Sequence, residues 1–204
     1  LRNPLGVIRS SAQVVLEGPQ EEAIRHEMAR YIIDEVDKLS QRLHDFLRYA
    51  RQKPPDFIDC AAEEVMRGAL KQWKAQGGHE RIRVEHRFGQ NLPLIRIDPE
   101  QIKEALMNVL INAREAMPDG GTLILETRIG DGDAVAIDVT DTGSGIPPDH
   151  LARVFEPFFT TKNYGTGLGL TNVKRLVEDN GGTLTVTSNQ GTGTTFTLRF
   201  RPAS

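Results

Sequence analysis

The first fifty residues carry apolar side chains at intervals of three and four, which places them on one face of a helix. The pattern begins at Leu5, is broken by Gly18-Pro19, resumes at Ile24 and continues to Leu47. It predicts two helices joined by a short turn. Because one helical hairpin leaves its apolar stripe uncovered, we expect a second copy to complete a four-helix bundle. The alternative is that the stripe packs against the rest of its own chain.

Beyond the hairpin, helical and alternating apolar patterns follow one another. Lys53-Pro54-Pro55 interrupts helix and predicts a linker over 53–57. Two helices have capping signals, with Asp59 and Asp98 as the N-cap residues, and Gln101 lies three residues after Asp98. The predicted helices cover 60–76, 98–117 and 170–180, with a short one near 149–155, and the predicted strands cover 82–88, 94–97, 122–129, 134–141, 183–188 and 194–200.

These elements predict an α+β protein with two domains. Residues 1–52 are the two-helix hairpin, and residues 58–204 form an α/β sandwich with a mixed sheet and helices on one face. A chain of 204 residues is long enough for two small domains.

Composition excludes several classes of protein. The single cysteine, Cys60, excludes an internal disulfide framework and fits a reducing compartment. No apolar stretch reaches the roughly 18–20 residues that cross a bilayer, so we expect a cytoplasmic chain that reaches a membrane only through upstream segments, if at all. A net charge of −3, without a block of Lys or Arg, argues against a nucleic-acid partner. Of 19 glycines, 13 lie between Gly120 and Gly193, so we expect the chemistry there.

The helix predicted over 98–117 has a polar face that helix propensity does not explain. Asn108 and Asn112 lie one turn apart on it, between Glu104 and Glu115. A carboxamide oxygen is a suitable ligand for Mg²⁺, which prefers oxygen donors. The alternative is an ordinary solvent-exposed stripe.

Two glycine motifs follow. Asp141-x-Gly143-x-Gly145 comes directly after a predicted strand, where a carboxylate can accept a hydrogen bond from an exocyclic amine such as adenine N6; a plain turn is the alternative. The run 165–169, Gly-Thr-Gly-Leu-Gly, opens a predicted helix whose first amides can hold phosphate oxygens; a flexible linker is the alternative. Its spacing differs from the dinucleotide fingerprint, and the sequence has no P-loop.

Two further segments complete the set. Phe155, Phe158 and Phe159 can anchor a loop on the core, and Lys162 can reach a phosphate as a point charge. A hydrophobic cluster under a loop is the alternative. The run 191–194, Gly-Thr-Gly-Thr, joins two predicted strands and can equally be a turn.

In this order and spacing, the five segments resemble the N, G1, F, G2 and G3 boxes of the sensor histidine kinases of two-component systems. The match covers about residues 99–200. These kinases belong to a wider ATPase superfamily, called GHKL, with gyrase and heat-shock chaperone members. In those members a Glu that activates water takes the place of Asn108, so Asn at this position favours a kinase over a hydrolase.

The resemblance extends to the start of the chain. Residues 1–5, Leu-Arg-Asn-Pro-Leu, are similar to the end of the H box, whose register places the phosphoacceptor histidine just before Leu1. His26 and His44 match no position of that box. We therefore expect this chain to lack its own acceptor.

The resemblance implies a kinase that binds ATP and Mg²⁺, phosphorylates a histidine, and passes the phosphoryl group to a response-regulator receiver domain, as a homodimer through the hairpin. Asp141 would bind adenine, and Asn112 with Asn108 would hold the metal. The implied catalytic residues are Asn3, Asn108, Asn112 and Lys162, and the implied nucleotide-binding residues are Asn108, Asn112, Glu115, Asp141, Gly143, Gly145, Ile146, Lys162, Thr166, Gly167, Leu168, Gly169 and Thr194. Two alternatives are an ATP-hydrolysing module and a catalytically inactive nucleotide-binding module of the same superfamily.

Overall fold

The computed structural model describes residues 2–16, 22–50, 53–162 and 165–203. The chain divides into two compact units. One comprises residues 1–52 together with 161–166, and the other comprises residues 53–160 together with 167–204.

In the first unit, α1 (Arg2–Leu16) packs against α2 (Glu22–Ala50). The helix pair is therefore confirmed, although α1 begins before the predicted Leu5. A row of exposed apolar side chains runs along α2 at intervals of three, seven and four residues, formed by Ile33, Val36, Leu43 and Leu47. At 100° per residue this row adjoins the half-buried positions Ile24, Met28 and Ile32, so that α2 carries one broad apolar face. Among the described residues, no helix is both long and apolar enough to span a membrane.

The second unit is built on a five-stranded mixed sheet. Its strands are β2 (Ile82–Phe88), β4 (Gly121–Ile129), β5 (Val135–Asp141), β6 (Thr183–Asn189) and β7 (Gly193–Phe200). Two short strands, β1 (Ile58–Cys60) and β3 (Ile95–Ile97), form a separate two-stranded sheet. The order across the sheet is β2-β4-β5-β7-β6, in which β2 and β4 are parallel and the other neighbours are antiparallel. The strand β5, which ends at Asp141, is therefore in the centre of the sheet.

Helices cover one face of this sheet. They are α3 (Ala62–Ala75), α4 (Pro99–Ala116), the four-residue α5 (Pro148–Leu151) and α6 (Gly169–Asp179). The core forms where Ile102, Leu106 and Leu110 of α4 meet Ile137 of β5 and Leu198 of β7, all fully buried. The predicted α+β class, with a helix pair followed by a mixed sheet under helices, is confirmed.

The predicted cap at Asp59 is wrong. Ile58, Asp59 and Cys60 form β1, which pairs antiparallel with β3 so that Cys60 lies opposite Ile95. The following helix begins after Ala61, which has no side-chain capping bond. Pairing with a strand more than thirty residues away outweighs the local preference of Asp59 for a cap.

The cap at Asp98 is confirmed, with one change. Its Oδ1 accepts hydrogen bonds from the amides of Glu100 (3.0 Å) and Gln101 (3.2 Å). The Gln101 side chain does not return to the Asp98 amide, as a capping box requires. Instead, that amide donates to Oδ1 of Asn180 at 2.6 Å, and Nδ2 of Asn180 donates to Oε1 of Gln101 at 3.0 Å. Asn180 thus joins the beginning of α4 to the end of α6.

Candidate functional site

Asp141 is the last residue of the central strand β5, and only 5% of its surface is exposed. Its Oδ1 accepts a 2.8 Å hydrogen bond from the amide of Gly143. The pKa of this carboxyl is raised above its ordinary value of 3.8, because the effect of burial exceeds the lowering by hydrogen bonds from the amides of Gly143 and Thr194. A buried carboxylate at the end of a strand is a strong acceptor for a ligand amine, because little water competes for it.

The glycines after Asp141 allow backbone segments to pack closely. A Cβ on Gly143 would lie 2.5 Å from the carbonyl oxygen of Ala116 at the end of α4. Gly145 has a φ of +67° and lies against the carbonyl oxygen of Asn189, and Gly193 lies against that of Asp141. The G1 and G3 glycines therefore allow the end of α4 and the ends of β5, β6 and β7 to pack closely around Asp141.

Ser188 is a site residue that the sequence prediction missed. Its Oγ donates to the carbonyl of Gly193 at 2.9 Å, accepts from the amide of Ile146 at 2.8 Å, and lies 2.9 Å from Oγ1 of Thr194. Since a hydroxyl has a single proton, Thr194 must be the donor in the last pair. Ser188 thereby links Ile146 and Thr194, which are both predicted nucleotide-binding residues and are 48 positions apart in sequence.

A concave site opens at the end of the sheet where β5 and β6 finish and β7 begins. Its volume is about 210 Å³, and its lining includes Asp141 and Thr194 together with Thr142 and Ser188. The structure therefore brings Asp141, Gly143, Gly145, Ile146 and Thr194 together at the ends of β5 and β7.

The predicted metal-binding residues are on α4. Asn108 and Asn112 are half-buried and one turn apart, and Glu115 is exposed near the end of the helix. The oxygen donors that two carboxamides offer on one helix face suit a hard cation such as Mg²⁺. Asn108 and Asn112 therefore fit Mg²⁺, the metal that the resemblance implies.

The start of α6 lacks a capping side chain. Leu168 occupies the N-cap position without a side-chain capping bond. Gly167 has a φ of +67° and packs against the backbone of Phe158, while the space around the Cα of Gly169 is open. A helix end with this geometry can receive phosphate oxygens on its first amides.

The three phenylalanines of the F segment have three different environments. Phe155 packs against the core. Phe159 contacts the guanidinium of Arg153, 4.5 Å from its ring centre, and the ring of His150. Phe158 has a φ of +66° and is 67% exposed. The expectation that these phenylalanines anchor the loop on the core is therefore confirmed for Phe155 and wrong for Phe158, while Phe159 packs on side chains of its own segment.

Three predicted residues belong to the first compact unit. Lys162 is exposed, and Thr166 is half-buried. The side chain of Asn3 lies outside the described residues.

Comparison with known proteins places the second unit in a defined group. Residues 97–204 match a family model described as histidine kinase-, DNA gyrase B- and HSP90-like ATPase. The chain is 32% identical over 198 residues to the sensor histidine kinase ZraS of Escherichia coli strain K12, covering 97% of this chain and 42% of ZraS. It is 31% identical over 199 residues to sporulation kinase E of Bacillus subtilis strain 168, covering 96% of this chain and 26% of that kinase.

The fold is also similar to that of a solved structure. Full-length ShkA in complex with AMPPNP superimposes with a TM-score of 0.71 and 26% sequence identity, over 100% of this chain and 44% of ShkA. The chain spans less than half the length of each of these three relatives.

Proposed function

Because the chain belongs to the family of histidine kinase-, DNA gyrase B- and HSP90-like ATPases, we propose that it is the catalytic core of a sensor histidine kinase. It transfers the γ-phosphoryl group of ATP to a histidine, and the group passes on to an aspartate of a response-regulator receiver domain. The proposal assigns residues 58–204 to nucleotide binding and residues 1–52 to dimerisation and phosphotransfer, with 53–57 as the linker between them.

The observation that carries this proposal is the environment of Asp141. A carboxylate that is only 5% exposed is costly to bury unless polar partners compensate it, and Asp141 has a hydrogen bond from the amide of Gly143 but no ion-pair partner among the described residues. Asp141 lies beside an open concavity of about 210 Å³, where an amine such as adenine N6 can donate to it. Phosphoryl transfer itself requires mainly positioning and charge neutralisation, so a well-placed nucleotide accounts for most of the chemistry.

The remaining residues are assigned around that anchor. Ile146 and Thr194 border the base, and Asn108 and Asn112, with Glu115 nearby, hold Mg²⁺ and the nucleotide. When bound, the metal neutralises charge on the transferring phosphoryl group. The amides of Gly167, Leu168 and Gly169, together with Thr166 and Lys162, contact the phosphates. Asn3 acts in the dephosphorylation of the receiver domain.

One feature of the first unit bears on partners. The exposed apolar row on α2 suits a homodimer that completes a four-helix bundle. A receiver domain is the second protein partner, and nucleic acid is not a partner. The chain acts in the cytoplasm.

The test is nucleotide binding followed by transfer. Mg·ATP is titrated into the protein by calorimetry, and the protein is then incubated with labelled ATP and a separate helical hairpin that carries an intact H box. Binding with transfer to the hairpin histidine supports the kinase. Binding with steady release of inorganic phosphate and no transfer indicates an ATP-hydrolysing module, and binding alone indicates an inactive one. Absence of binding contradicts all three.

A further inference from the structure

Asn172 has a buried carboxamide that lies between two charged side chains. It is in the first turn of α6 and only 4% exposed. Its Nδ2 donates to Oε1 of Glu104 on α4 at 2.9 Å, and its Oδ1 accepts from Nη2 of Arg175 at 2.8 Å. The motifs in the sequence do not include this residue, and Glu104 is 68 positions away.

The chemistry of the neighbours fixes the orientation of this amide. A carboxylate only accepts and a guanidinium only donates, so the NH₂ group must point at Glu104 and the oxygen at Arg175. Both bonds involve a charged partner, which makes them stronger than bonds between neutral groups. Apolar side chains of α6, such as Val173 and Leu176, are also buried in the core that includes α4, and this contact is non-directional.

The position of this bond in the fold relates it to the nucleotide site. Asn172 is three residues after Gly169, the first residue of α6, where no side chain caps the helix. Glu104 is one helical turn before Asn108 on α4. A second polar link joins the same helices, from Asn180 at the end of α6 to Gln101, which is three residues before Glu104 on α4. The two links, one in the first turn of α6 and one at its C-cap, both reach the first two turns of α4 and restrain how α6 lies on that helix.

We propose that Asn172 and Glu104 are positioning residues that set the start of α6, and hence its phosphate-binding amides, relative to the asparagines of α4. The inference rests on the proposed function, since it assigns a role to these residues in nucleotide binding. Neither residue contacts the nucleotide. They act through the backbone amides of residues 167–169 and through Asn108.

An exchange of the two groups tests this role. Asn172→Asp replaces the donor with an oxygen and sets two carboxylates against each other. Near a helix N-terminus a carboxylate is favourable in itself, so the loss comes from Glu104. In the double variant Asn172→Asp with Glu104→Gln, an amide again faces a carboxylate, the pair has the same charge as in the unaltered protein, and Arg175 retains an acceptor. Lys174→Gln, also on α6 and exposed, is the matched control.

Two measurements are made on each variant of the full chain. Calorimetric titration with Mg·ATP gives the dissociation constant, and hydrogen exchange without nucleotide reports on the amides of residues 168–172. We expect Asn172→Asp to raise the dissociation constant by on the order of tenfold and to speed exchange at these amides. The double variant returns both values to within about twofold of the unaltered protein, and the control changes neither.

The possible results separate this inference from the proposed function. If the unaltered protein does not bind Mg·ATP, the proposed function fails, and the positioning role fails with it. If it binds but Asn172→Asp binds equally well, only the positioning role is overturned, even if the melting temperature falls. If the double variant remains as weak as the single one, negative charge at position 172 is itself responsible, and the role of the Glu104 bond is overturned.

Discussion

Gly143 donates its backbone amide to the carboxylate of Asp141 at 2.8 Å, and a side chain on Gly143 would collide with Ala116 at the end of α4. One glycine therefore both holds the carboxylate and ties the central strand to the helix that carries Asn108 and Asn112. The carboxylate is almost fully withdrawn from water, and burial raises its pKa. Where it is ionised, a carboxylate with a raised pKa lowers the stability of the free protein.

The substitution Asp141→Asn is expected to weaken ATP binding with the fold unchanged. The loss of a charge-assisted hydrogen bond costs about 1.5–3 kcal/mol, or roughly 10- to 150-fold in the dissociation constant. Calorimetric titration with Mg·ATP measures it. The control is Asp138→Asn on the same strand, whose carboxylate bonds to Nε of Arg128 at 2.7 Å and is not among the residues that line the concavity. Equal affinities of Asp141→Asn and the unaltered protein would remove Asp141 from the site.

The same substitution is expected to stabilise the protein near pH 7. The pKa of Asp141 is raised in the folded state, so its contribution to stability is fully present below the unfolded pKa and is lost as pH rises through the folded pKa. At neutral pH the buried charge is therefore unfavourable, and an uncharged Asn avoids this cost while it still accepts from Gly143. Melting temperatures of the two proteins should differ most near pH 7 and converge towards the ordinary aspartate pKa of 3.8. A difference in melting temperature that grows as pH falls would contradict burial as the cause of the raised pKa.

The sequence predicted helices, strands and motifs well where the signals are local. Asp98 and Pro99 mark the start of α4 by chemistry that acts within one helical turn, and the structure confirms that cap. The alternating pattern that ends at Asp141 correctly predicts a strand. The resemblance to sensor histidine kinases, which rests on short motifs in a fixed order, is also confirmed.

What the sequence did not predict depends on contacts between distant segments. The strand β1 has three residues and exists because β3 pairs with it. Ser188 and Asn172 have ordinary positions in a strand and a helix, and their importance comes from partners more than forty residues away. The exposed Phe158 has a positive φ and a backbone in close contact with Gly167, features that no spacing rule includes.

Two glycine substitutions are expected to have opposite effects on stability. Gly143→Ala places a methyl group 2.5 Å from the oxygen and 2.7 Å from the Cβ of Ala116, so it should destabilise the protein by about 1–3 kcal/mol. Gly169→Ala meets nothing within 4 Å and is in a helix, so it should be neutral or stabilising by about 0.4–1 kcal/mol. Denaturant unfolding of both variants checks the contrast. Equal losses would show that the close packing at Gly143 does not exist.

The helix pair is expected to form a dimer without nucleotide. Light scattering at micromolar concentration should give about twice the chain mass of 22.7 kDa. Ile33→Glu puts a charge in the exposed apolar row of α2, where the native side chain is 59% exposed, and should shift the protein to monomer. Leu94→Glu, at a 49% exposed position of the second unit, is the control and should leave the dimer intact. A monomeric unaltered protein with full helix content would contradict the bundle.

A polypeptide of residues 1–204 is expected to bind Mg·ATP without labelling any of its own histidines. Transfer requires an acceptor nitrogen within about 3–3.5 Å of the γ-phosphorus and in line with it. The H-box register places that nitrogen before Leu1. The measurement is incubation with γ-labelled ATP, followed by assay of phosphate that is labile in acid and stable in alkali. A longer polypeptide that includes the residues before Leu1 is the positive control and should be labelled. The five histidines of residues 1–204 match no acceptor position, namely His26, His44, His79, His86 and His150. Label on any of them at a rate similar to that of the longer polypeptide would show that the register is wrong and that the acceptor lies within residues 1–204.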